Sequence, residues 1–414
     1  MTFADPSQVA SAATKAPAPV ASVNVRDLRL DFFRGIAMFI ILIAHTPGNF
    51  LTSWIPARWG FSDATEIFVF CSGMASAIAF GRGYDRAGWT LATARVGFRV
   101  WQVYWAHVGL FFATLALTVA LTDSGFGTRN YWGQLNLWPI FVESEKWTNP
   151  DILLSFMTLR YVPNYFDILP MYMVVLLLMP IIMALSNVNK WLIGVFVVTV
   201  WIFAQKGLMT ALGLEQLYIG LPAEPWTTRN WFFNPFGWQL IFFTGFAFMR
   251  GWLPKPPVNK LLIGLALFLV LANVPLSNIG VREFGFEWAR DWRVSNKILI
   301  DKSSFGLLRY VHFLALAYLC WVAAGDKGDR LLAQGNGMIA RIWKRCLAII
   351  LKVGQQSLAV FVVSMFTARL MGFSMDVLGR DTGTVLLVNL AGACILIGTA
   401  YGAGWFKSQP WRVK

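Results

Sequence analysis

The chain has 414 residues, of which 57% are hydrophobic and 14% charged, and it carries a formal net charge of +14. Such a composition lies far outside the range of soluble globular domains and predicts an integral, all-α membrane protein. Nucleic-acid binding is not needed to explain the positive balance, because Lys and Arg concentrate in the cytoplasmic loops of such proteins.

Residues 1–25 are rich in Ala, Pro, Ser and Val but lack the apolar core and cleavage region of a signal peptide, so they read as a disordered cytosolic tail. Apolar stretches near the length a bilayer requires then predict membrane helices at 30–50, 61–80, 96–121, 168–185 and 191–211. Five more follow at 231–248, 261–274, 306–323, 347–371 and 385–403, the seventh being the shortest. About ten helices therefore form one polytopic domain over 26–405, with a short cytosolic tail at 406–414.

Charge sets the expected orientation. The segments bearing Arg82, Arg86 and Arg95, then Arg250, Lys255 and Lys260, then Lys327, Arg330, Arg341, Lys344 and Arg345 fall on one side, with both termini. Acid gathers on the other side, at Asp123, Glu143, Glu145, Asp151, Glu215, Glu224, Glu283, Glu287, Asp291 and Asp301. Both termini are thus expected in the cytoplasm. No internal repeat at a fixed period is evident, which argues against inverted-repeat transporter folds. Cys71, Cys320, Cys346 and Cys394 are scattered singly in or beside apolar segments, a pattern that favours buried reduced thiols over a disulfide framework.

The first apolar span carries two ionisable groups, Arg34 and His45, eleven residues apart. On an α-helix that spacing is about three turns, so both point the same way at roughly 16 Å separation. Ionisable side chains inside a bilayer are costly and mark functional sites by default. His45 falls near the outer face, just before Pro47-Gly48-Asn49 breaks the helix. A neutral imidazole there suits general-base work on a hydroxyl arriving from outside. Arg34, near the cytoplasmic face, serves either as a snorkelling anchor or as a bidentate grip on an anionic cytosolic ligand. Arg95 and Arg99, an i, i+4 pair, would extend that cationic mouth.

Asp63 followed three residues later by Glu66 has the form of an N-capping box opening the second helix. Glu66 sits at a depth comparable with His45, where a carboxylate would orient the imidazole. The other two histidines, His107 and His312, are weaker candidates on the acceptor side or behind the site. Two long stretches on the outer side, 122–167 and 277–304, are dense in aromatic and polar residues, among them Trp288 and Asp291. They serve either as sugar-binding elements or as aromatic interface anchors.

These residues resemble a known family. Arg34, ten intervening residues and His45 match the first-helix motif of the membrane acyltransferase-3 superfamily. The fuller strings LRLDFFRGIAMFIILIAHTPGNF, WGFSDATEIFVFCSG, NPFGWQLIFFTG, LLRYVHFLALAYL and GQQSLAVFVVS look like the OpgC family, over nearly the whole chain from Arg26 to Tyr401. One departure is the Arg-x3-Arg spacing of Arg95 and Arg99, where the superfamily often shows Arg-x2-Arg. The resemblance implies a bacterial inner-membrane O-acyltransferase that moves an acyl group, succinyl in this family, from cytosolic acyl-coenzyme A to hydroxyls of a periplasmic glucan. Arg34 and His45 carry over from it residue by residue; joined with the reading of the residues above, His45 is expected as catalytic base with Glu66 orienting it, Arg34 with Arg99 and Arg95 as donor-binding groups, acyl-coenzyme A as co-substrate, and no metal. The rival expectation is a transporter or flippase for an anion or glycan, using the same buried charges without acyl chemistry.

Overall fold

The computed structural model describes residues 27–127, 129–142 and 147–412. The tail expected over 1–25 lies outside the described residues, as do Glu143, Glu145 and Lys414. Among the described residues the fold is all-helical, and the sole β pairing is an isolated bridge between Pro222 and Asn230. The helices that build the site are α1 (Leu28–His45), α2 (Ala64–Ser76), α3 (Arg82–Asp123), α4 (Ile168–Val188), α5 (Lys190–Phe203) and α6 (Pro235–Arg250). They continue with α7 (Lys260–Ala272), α8 (Leu307–Ala324), α9 (Met338–Gln355), α10 (Ser357–Leu378) and α11 (Thr382–Ser408).

Five helical stretches are long and apolar enough to cross a membrane: Ala64–Asp123, α4, α8, α10 and α11. This is a membrane protein. The other expected spans are shorter or more charged. Helix α1 carries Arg29, Asp31 and Arg34 within its first two turns, α6 has 16 residues, and α5 and α7 are apolar but shorter still.

Three expected boundaries are corrected. The span at 96–121 is the later part of a helix that begins at Arg82 and bends at Gly88, whose φ is 77°. Its charged first turns hid it from a hydropathy reading. The span at 191–211 breaks at Ala204-Gln205 and resumes as a short helix, Lys206–Ala211. The apolar run at 347–371 is two helices, α9 and α10, meeting at Gln356. The joint is the short polar stretch Gly354-Gln355-Gln356-Ser357, which the long apolar runs on either side outweigh in a hydropathy reading. The thiols also differ from expectation: all four are free, but only Cys71 is buried, while Cys346 and Cys394 are exposed.

Helix α1 lies inside the bundle against α2, α9, α10 and α11. Its approach to α9 depends on two glycines. A Cβ on Gly35 would stand 2.1 Å from the carbonyl oxygen of Ile350, and one on Gly354 would stand 1.9 Å from that of Asp31. Small residues let the two backbones touch, the usual route to close helix packing in lipid, where no hydrophobic force draws helices together. On the far side of α2 lies α6, whose Trp238, Phe242 and Phe246 are fully buried. Between them these helices hold α1 in place along its length.

Candidate active site

Helix α1 ends at His45, with Thr46 in extended conformation and its hydroxyl donating to Leu42 O at 2.8 Å. Gly48, at φ 69°, turns the chain away. This end is gripped by α10 and the turn that follows it: Arg369 Nη2 donates to the carbonyl of His45 at 2.8 Å, and Arg380 Nη1 donates to that of Pro47 at 2.9 Å. Arg380 is itself paired with Asp376 at 2.5 Å, and Asp376 accepts from the Tyr131 hydroxyl at 3.1 Å. The imidazole is oriented by its own helix. Nδ1 donates to Ile41 O at 2.9 Å, which fixes the tautomer and leaves Nε2 as the nitrogen with a lone pair.

His45 opens on a cavity of about 510 Å³, whose wall includes Asp63, Asn164, Tyr165, Asp167, Phe232 and Lys302. The Tyr165 ring stands edge-on to the imidazole at 5.5 Å, under the Arg369 guanidinium at 4.2 Å. Its hydroxyl donates to Met365 O at 2.5 Å, and its φ of 88° places a bulky residue in the left-handed region. Strain of that kind persists where surrounding contacts over-determine it, and it clusters at functional sites.

The opening of α2 supplies the charged side of the cavity. The capping box forms: Asp63 Oδ1 accepts from Thr65 N at 2.7 Å, and Asp63 N donates to Glu66 Oε2 at 2.8 Å. Lys302 Nζ then donates to Asp63 Oδ2 at 2.5 Å, holding an ammonium at the cavity wall. The expected pair of Glu66 with His45 is corrected. Glu66 is fully buried, its Oε1 accepts from Arg309 Nε at 2.9 Å and Nη2 at 2.5 Å, and its other oxygen is used by the cap. An arginine on α8 with five fixed donors outcompetes an imidazole whose donor is already spent on its own helix.

The remaining expected residues are dispersed. His312 meets Ser62 Oγ through Nδ1 at 2.7 Å and so braces the turn before Asp63 from behind. His107 is fully buried on α3, stacked 5.1 Å from Phe156, with neither ring nitrogen bonded among the described residues. Trp288 and Asp291 are exposed on the short helix Glu287–Ser295, and neither lines the cavity.

At the other end of α1, Arg34 Nη2 donates to Oγ of Ser357, the first residue of α10, while its Nε is buried without a hydrogen-bond partner among the described residues. Arg99 acts on it electrostatically, and the charges of Arg99, Arg34 and Lys352 all act on Lys407, whose ammonium donates to Gln356 Oε1 at 2.6 Å. Four cations thus gather around the joint between α9 and α10. Arg95 is exposed instead and lies over the Phe80 ring at 5.8 Å.

Lys302, Arg369, Tyr165, Lys352 and Lys407 were not singled out as site residues from sequence. For Arg369 a signal existed, since it lies in an expected span and an intramembrane arginine is a site candidate by default.

Fold and site together define an all-helical membrane protein whose first helix carries a histidine-lined cavity at one end and a cation cluster at the other. Residues 26–408 match the family described as OpgC protein, and the chain belongs to that family. Neither the curated proteins nor the solved structures contain a match to it.

Proposed function

We propose that this protein is an inner-membrane O-acyltransferase that moves a succinyl group from cytosolic succinyl-coenzyme A to hydroxyls of a periplasmic glucan, with both termini in the cytoplasm. Membership of the OpgC family supports glucan modification as the task. The observation that carries the chemistry is the His45 imidazole, its Nδ1 committed to Ile41 and its Nε2 without a hydrogen bond among the described residues, on the wall of a cavity that also holds an ammonium.

In this reading Nε2 takes the proton of the glucan hydroxyl as its oxygen bonds to the thioester carbonyl carbon. The carbonyl oxygen takes up the electron pair, and Lys302, steadied by Asp63, offsets that charge. Collapse restores the carbonyl, breaks the carbon–sulfur bond and releases the coenzyme thiolate, which takes the proton from the imidazolium. Arg34, Arg99, Lys352 and Lys407 hold the anionic head of the donor. Acyl-coenzyme A is a co-substrate, and the chemistry requires no resident cofactor.

Purified protein given labelled succinyl-coenzyme A and a glucan should release coenzyme thiol and label the glucan in equal amounts. Counterflow of glucan or anion without thioester consumption would instead support a transporter. The donor site has its own test. Arg34→Lys keeps the charge but loses the planar fork, and should raise the donor KM by about tenfold, the size of one lost charge-assisted hydrogen bond, with kcat little changed. A wild-type donor KM in that variant would remove Arg34 from the donor site.

A further inference from the structure

Beside the His45 cavity lies a second one of about 560 Å³, and Asn164 and Phe232 belong to the walls of both. Its far wall is built by a segment to which the sequence assigned no role. Residues 221–231 form a tight turn, with Ala223 N bonded to Arg229 O at 2.7 Å and Trp231 N to Leu221 O at 2.8 Å. Asn234, the cap of α6, ties this turn to its surroundings, since its Nδ2 donates to Ile219 O at 2.8 Å and its N to Ser303 O at 3.0 Å. Gln205 Nε2 closes the floor by donating to Ser304 O at 2.7 Å. The cavity is therefore a built feature of the fold.

Its chemistry, dominated by amides, hydroxyls and aromatic rings, suits a hydroxyl-rich ligand. Arg229 is paired with Glu224 at 3.2 Å, and Asp301 stands in the same wall as Lys206 and Lys297, so one positive charge is left over among amide, hydroxyl and aromatic side chains. Lys206 donates to Asn230 Oδ1 at 3.3 Å and lies over the Tyr218 ring at 5.8 Å. Asn164 is the informative residue. Its Oδ1 accepts from Arg229 Nη1 at 2.7 Å, which locks the amide and leaves its two N–H donors for the junction between the cavities. Phe232, exposed beside it, offers a flat face. Each cavity falls within the range of small-molecule sites, so the pair accommodates more than one sugar ring.

We infer that the second cavity is a saccharide subsite that holds the ring next to the one acylated at His45, so that the protein selects glucan chains over single sugars. This rests on the reading of the His45 cavity as the place of transfer. The test uses the full-length protein in detergent, succinyl-coenzyme A as donor, and two acceptors, a linear glucose hexamer and methyl glucoside. Thr228 lines the second cavity and not the first, and Thr228→Trp would fill it. The expected result is a KM for the hexamer raised about tenfold, from the loss of one or two hydrogen bonds and a packing face, with kcat within about twofold. The wild-type preference for the hexamer over methyl glucoside should shrink by the same factor. Asn230→Ala, a gentler change, should move both quantities in the same direction. An unchanged hexamer KM in both variants, or an equal loss on both acceptors, would overturn the subsite. Calorimetric titration of the hexamer separates the two readings. Binding that Thr228→Trp weakens supports the subsite even where no acyl group is transferred, whereas a wild-type protein that binds no hexamer overturns it.

Discussion

His45→Ala should lower kcat for acyl transfer by about 10² to 10⁴-fold, the range that a positioned general base contributes, while the protein stays folded and the donor KM changes little. The physical ground is the tautomer: with Nδ1 donating to Ile41 O, a single nitrogen is left to accept a proton, and alanine supplies none. Substitution leaves Arg369 bonded to the same backbone carbonyl, so the end of α1 keeps its anchor. His312→Ala should be far milder in kcat, because that ring braces Ser62 and does not line the cavity. Steady-state rates with the donor at saturation check both variants. A rate above about a tenth of wild type in His45→Ala would exclude general-base catalysis by this residue.

Glu66→Ala should instead be a defect of folding. The carboxylate is fully buried against Arg309, whose own side chain is nearly so, and its removal leaves a buried guanidinium with only Asp63, 3.8 Å away, in compensation. Breaking such a pair from one side costs about 3–5 kcal/mol, whereas replacing both partners by apolar groups is far less harmful. The thermal midpoint in detergent should therefore fall sharply in Glu66→Ala and recover in large part in the double variant Glu66→Leu/Arg309→Met. An unaltered midpoint combined with a large loss of kcat would restore Glu66 to a direct role beside His45.

Local features were legible in the sequence, and long-range ones were not. The end of α1 was marked by Pro47 and Gly48, and the opening of α2 by the three-residue spacing of Asp63 and Glu66, because turns and caps are set by neighbours in the chain. The partner of Glu66 lies 243 residues away on α8, and nothing at position 66 announces it. Lys302 illustrates the same limit. It belongs to a stretch that reads either as a binding element or as an interface anchor, yet which of that stretch's polar residues turns inward depends on packing, and Trp288 and Asp291 turn outward. The joint at Gln356 was hidden for another reason, since the polar stretch that marks it, Gln355-Gln356-Ser357, is only three residues long between two apolar runs.

The backbone contact of Gly35 and Gly354 with their opposing carbonyls, together with the grip of Arg369 and Arg380 at the opposite end, braces α1 at both ends against sliding or tilting. Arg34 and His45 are then fixed marks on a ruler about 16 Å long. On the proposed function, a donor seated by its phosphates at the first mark would deliver its thioester to the second only if its linking arm had that reach. Acyl donors with a shorter arm would then bind and fail to react, and the helix that carries His45 would also measure the molecule it serves.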